Sequence, residues 1–203
     1  LALCLFILPV KSQVNIDLGH PDVINYSSKQ YKASPQNWAI AQDQRGIMFF
    51  GNNEGILEFD GYKWKSYKVT NESAIRSLDV GENGFIYVGG VDEFGVLKPD
   101  KHGKLIYKSL VEEFNIPRKN LGDVWKTHAA ENGVYFMTNQ KLFQYDGHRL
   151  KVWNSETAFQ SAYLVEDEYY INQLGVGLCV LDNDSIKSLP HVSHFRNTRI
   201  YDI

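Results

Sequence analysis

Residues able to recognise a ligand recur in this chain at matching places. Trp38, Arg76 and Trp125 stand at one common offset ahead of Gly46, Gly84 and Gly133. Asp92 and Glu93 interrupt an otherwise apolar stretch, and Asn52, Asn53 and Glu54 form a polar break between two apolar runs. Two indoles, a guanidinium and two acids suit a carbohydrate: flat aromatic faces stack on sugar C–H surfaces while charged and amide groups bind hydroxyls. The competing reading is that both tryptophans are packing residues buried between neighbouring structural units. The carboxylates of Asp92 and Glu93 point to a solvated or functional place, because charge is costly inside an apolar unit.

Other chemistry finds little support. His191 and His194 share a local spacing ("HVSH"), and Asp182 and Asp184 lie close in sequence, but a polar loop explains them better than a metal site. "DNDS" (182–185) lacks the glycine and the distant acid of a calcium loop. "DEFG" (92–95) has none of the catalytic-loop context of a kinase. The sequons at Asn25 and Asn71 would carry little weight if the source were bacterial. No catalytic constellation, metal site or cofactor is expected in these residues. Cys4 falls in an N-terminal apolar stretch, which leaves Cys179 in "GLCVL" as a small core residue.

The elements that must position the candidates repeat. "DQRGIMFFGNNEGILEFDG" (43–61), "GENGFIYVGGVDEFGVLKPD" (81–100) and "AENGVYFMTNQKLFQYDG" (130–147) align, and "EDEYYINQLGVGLCVLD" (166–182) is a weaker copy with Glu168 in place of the turn glycine. Each has a strand-like segment upstream and another downstream. Helical periodicity is absent apart from a turn near "LVEEFN" (110–115). With 13% aromatic residues and 16 glycines among 203 residues, the composition also favours pleated sheet.

Four short strands per unit, at roughly 40–50 residues per repeat, describe a propeller blade. A lone four-stranded sheet cannot bury both faces, whereas radial stacking covers each with its neighbours. The expected fold is therefore all-β: a β-propeller of four-stranded antiparallel blades over residues 13–203. Blades are expected at about 37–69, 74–110, 123–154 and 161–189, with a partial fifth from 198, as part of a seven-bladed ring. Residues 1–12, "LALCLFILPVKS", read as the remnant of a secretory signal peptide. A formal charge of -3 with no long run of one sign argues against nucleic-acid contact.

The pattern of residues 40–61 resembles the two-component regulator propeller repeat, and "IRSLDVGENGFIYVGGVDEFGVLKPD" (75–100) and "LGDVWK" (121–126) resemble the second and third blades of such sensors. The resemblance runs over residues 19–203, with Phe49, Tyr87 and Phe136 near a place where that family often has Trp. It implies the extracytoplasmic, ligand-sensing part of a bacterial inner-membrane signalling protein, working as a homodimer. A membrane span and a histidine kinase or DNA-binding output would follow it. A secreted binding scaffold or a polysaccharide-active lyase is the alternative. On either reading the partner is a small molecule or oligosaccharide, bound by Asp92, Glu93, Arg76, Trp38, Trp125, Asn52, Asn53 and Glu54.

Overall fold

The computed structural model describes residues 23–166, 168–192, 195–198 and 200. The signal-peptide reading of residues 1–12, the propeller residues up to 22, His194 and most of the expected fifth-blade strand lie outside them. A single helical turn, α1 (Ser28–Tyr31), leads into the first sheet: β1 (Asn37–Gln42), β2 (Met48–Asn52), β3 (Gly55–Phe59) and β4 (Trp64–Tyr67). The second comprises β5 (Ile75–Val80), β6 (Ile86–Gly90), β7 (Phe94–Pro99) and β8 (Leu105–Ser109). A short helix, α2 (Leu110–Glu113), forms where the sequence suggested a turn, capped by the Ser109 side chain accepting from the Glu112 amide. The third sheet is β9 (Lys126–Ala130), β10 (Gly133–Met137), β11 (Lys141–Tyr145) and β12 (Leu150–Asn154). The fourth is β13 (Phe159–Val165), β14 (Glu168–Gln173), β15 (Gly177–Asp182) and β16 (Ser185–Ser188). In every sheet the strands pair antiparallel in chain order.

The hairpins follow from aspartates placed to receive backbone amides. Asp43 accepts from the amides of Arg45 and Ile47, and Gly46 takes a positive φ of 82° to close the turn. Asp60 accepts from Tyr62 and Lys63, and Asp146 does the same with His148 and Arg149. Those amides hold both carboxyls below their ordinary range. The repeated "DG" pair is thus a turn that carries its own cap.

Each sheet buries one face against the next. Phe49 and Ile56 pack with Ile75, Ile86, Val88 and Leu97 between the first and second sheets. Phe94 and Val96 meet Val134, Phe136 and Phe143 between the second and third, and Tyr135, Met137 and Leu142 meet Tyr169 and Ile171 between the third and fourth. A fully buried Phe or Ile stabilises by roughly 1.5–3 kcal/mol, so these seams carry most of the favourable energy. Cys179 is buried, and its desolvated thiol is pushed up. The first strands β1, β5, β9 and β13 run beside one another on the inner side of the stack. On the outward face of the first sheet, Tyr26 and Tyr31 lie against Trp64, itself stacked on Phe59 at 4.5 Å.

Candidate functional site

The inner strands are irregular where the candidate residues sit. In β1 the register slips between Asn37 and Ala39, leaving Trp38 as an extra residue opposite β2. In β5 it slips between Ile75 and Ser77, which isolates Arg76. A bulge re-aims the side chain it isolates, and here both turn to the same spot. Trp125 lies one residue before β9, its amide bonded to the Met137 carbonyl.

The Arg76 guanidinium stands 4.1 Å from the Trp38 ring centre and 5.4 Å from that of Trp125, and the two indoles meet edge to face at 6.4 Å. Its Nε donates to Asp123 at 2.9 Å. Three blades therefore contribute to one cluster of π faces around a paired cation. Each stacked contact is worth about 0.5–2 kcal/mol as desolvation grows. The tryptophans remain 45% and 40% exposed, so neither is the fully packed residue of the competing reading. Around them lies a cavity of about 300 Å³, whose wall continues through Asp79, Lys126, Thr127 and His128.

Two titratable groups in that wall are shifted by their surroundings. Burial raises the Asp79 carboxyl, although it accepts from the amides of Ala129 and Val80. Burial, helped by the Lys126 charge, pushes the His128 imidazole down to about 4. One ring nitrogen of His128 lies 3.3 Å from the Tyr169 hydroxyl in the next blade.

The other expected residues separate into two groups. Asn53 joins the cluster, accepting from the Trp38 indole N–H at 2.7 Å, and Glu54 is exposed beside it at the hairpin tip. Asn52 is wholly buried: its amide donates to the Ser34 carbonyl and the Asn37 side chain, and it accepts from the Glu54 amide. It fastens the approach to β1.

Glu93 differs most from the expectation of a solvated acid. It is 1% exposed and accepts from Ser109 at 2.7 Å, Tyr107 at 3.2 Å and Arg118 at 2.6 Å. Burial and the Glu93 charge together raise the Tyr107 hydroxyl well above its ordinary value. Charge inside this blade is tolerated because a complete set of donors converges on it. Asp92, at a positive φ of 52°, accepts from the Gly122 amide at 2.7 Å. Both acids hold the protein to itself.

Two contributors to this arrangement, and one equivalent position, were not anticipated from sequence. Asp123 and Arg118 have no local signal, since their partners lie 47 and 25 positions away. Gln160 did have one. It precedes Glu168 by the offset that separates Trp38 from Gly46, and β13 slips register around it, between Phe159 and Ser161. It holds the fourth position of that series, where its side chain accepts from Asn172.

Four consecutive four-stranded antiparallel sheets, stacked face to face with first strands inward, make this a β-propeller domain. Its structural neighbours include the extracellular domain of a putative hybrid two-component system from Bacteroides thetaiotaomicron, with a TM-score of 0.58 at 19% identity over 76% of this chain and 21% of that one. A second such domain from the same organism gives 0.56 at 16% identity over 83% of this chain and 26% of that one. Virginiamycin B lyase from Staphylococcus aureus gives 0.58 at 11% identity, over 77% of this chain and 57% of that one. The chain thus spans about a fifth to a little over half of these structures. Identity at this level carries the fold alone. The sensor neighbours support the resemblance to two-component regulator propellers seen in the blade motifs. No protein-family model and no curated protein matches the sequence.

Proposed function

We propose that this chain is part of the extracytoplasmic sensor propeller of a transmembrane signalling protein and binds a small-molecule or oligosaccharide ligand at the mouth formed by Trp38, Arg76 and Trp125. The observation that carries the reading is the convergence of two half-exposed indoles and a stacked guanidinium from three different blades. A sugar ring laid on an indole keeps its hydroxyls free for Asn53 and for polar groups along the cavity wall. The guanidinium also brings one buried nitrogen, Nη1, with no hydrogen-bond partner among the described residues. Extracellular two-component domains among the structural neighbours support the sensor role. Ligand would act by favouring one arrangement of a sensor homodimer, shifting an existing equilibrium toward a kinase or DNA-binding output.

Titration calorimetry with a panel of oligosaccharides tests this. Binding by the parent chain that is lost in Trp125→Ala, with native circular dichroism, is the expected result. Silence across the panel would remove the carbohydrate reading. Release of unsaturated oligosaccharides from polysaccharide would replace it with the lyase alternative.

A further inference from the structure

The connection from the second blade to the third, residues 110–124, reaches the mouth through Asp123. Its course there is held by a series of bonds. The Arg118 guanidinium donates to Glu93 at 2.6 Å, and the Gly122 amide donates to the Asp92 carboxylate at 2.7 Å. The Asp92 amide returns a bond to the Gly122 carbonyl at 3.0 Å, and the Val124 amide donates to the Gly90 carbonyl at 2.9 Å. From β5, the Ser77 hydroxyl donates to the Val124 carbonyl at 2.7 Å. Leu121 and Val124 are buried in the seam between these blades. Asp123 projects from this braced stretch to Arg76.

The geometry points to Asp92 and Glu93 as positioning residues of the mouth: through Gly122 and Arg118 they hold the connection so that Asp123 fixes the Arg76 guanidinium between Trp38 and Trp125. A guanidinium on a long side chain has many rotamers, and only a placed carboxylate selects the one that lies between both indoles. Asp92 itself adopts a left-handed backbone, a conformation that persists where surrounding bonds over-determine it. The inference deepens the reading of the mouth as a ligand site and rests on it for its effect on binding. The placement of Arg76 can be tested without any ligand.

The chain has four tryptophans, so labelling with 5-fluorotryptophan yields four ¹⁹F resonances, assignable by single Trp→Phe changes. Glu93→Gln and Arg118→Gln should each shift the Trp38 and Trp125 resonances while Trp64 and Trp153 stay in place. Arg118→Lys, which keeps the charge, should return them toward the parent positions. Glu58→Gln is the control. Glu58 is an equally buried acid held by Lys65 and Tyr67 in the first blade, away from the connection. It should lower stability without moving Trp125. Arg118 is 36% exposed on its side chain, so its variant keeps the test alive should Glu93→Gln not fold. Variants that merely melt earlier, with all four resonances unmoved, would overturn the inference. Oligosaccharide binding by the parent should fall several-fold in Arg118→Gln; absence of binding in the parent removes the ligand reading and leaves the spectra to judge the positioning role.

Discussion

At the residue scale, the distinction between Glu93 and the mouth residues rests on whether donors are supplied from within. Glu93 has Ser109, Tyr107 and Arg118, so its charge is spent on the fold. Removing one partner of a buried pair leaves the other uncompensated, which makes such groups sensitive to truncation whatever their net worth. His128 makes a separate prediction. Its folded value is about 4, lowered by burial and then by Lys126, against about 6.5 in an unfolded chain. As pH falls through 6.5 toward 4, the unfolded chain takes up a proton that the folded chain refuses. Stability from this group is therefore complete above 6.5 and declines below it, by roughly 2–3 kcal/mol at the lower end. Urea unfolding at pH 7 and pH 4.5 should show His128→Gln losing less on acidification than the parent. Equal losses would assign the acid sensitivity to other groups.

At the element scale, the seams set how closely blades approach. Gly89 on β6 lies opposite Ser77, and a Cβ there would come 2.4 Å from the Ser77 hydroxyl, 2.5 Å from Val124 Cγ1 and 2.8 Å from the Thr127 hydroxyl. Those three residues form the hydrogen-bonded group that ties β5 to the next blade, through the two hydroxyls and the Val124 carbonyl. Gly89→Ala should cost about 1–3 kcal/mol through overpacking, measured by denaturant midpoint at constant slope. A neutral result would mean the seam has slack. The same argument explains why a second glycine follows each first apolar run in the opening two blades. Gly51 plays this part against Ile75, whose Cγ2 would stand 2.9 Å from an added Cβ.

Over the whole molecule, contacts pass mainly from one blade to the next, as in other repeat architectures. The second and third sheets are covered on both faces by neighbouring sheets. The first has Tyr26 and Tyr31 over part of its outward face, and Ile40 there is 62% exposed. The fourth meets the carbonyl of Ile200 through the Ser161 and Tyr163 hydroxyls. Hydrogen exchange on the 203-residue chain should therefore be slowest in β6, β7 and β10 and faster in β4 and β16. Uniform protection across all four sheets would instead indicate a single cooperative unit. On the outward aromatic surface of the first sheet, Phe59 stacks on Trp64, and Tyr26 and Tyr31 from the segment around α1 pack against this pair.

Much of the fold was legible because blades are local. A turn needs its Gly or Asp within a few residues, and a strand announces itself by a short apolar run, so the repeat could be read off residues 43–61 and their copies. The candidate mouth was half legible for the same reason: a shared offset placed Trp38, Arg76 and Trp125 at equivalent positions, and the same offset counted back from Glu168 would have added Gln160 to the series. Tertiary structure decided what those positions do. Whether an acid meets water or a set of donors depends on groups far along the chain, such as Arg118 for Glu93 and Asp123 for Arg76. Sequence spacing records neighbours along a strand; it holds no record of which side chain the next blade will bring opposite.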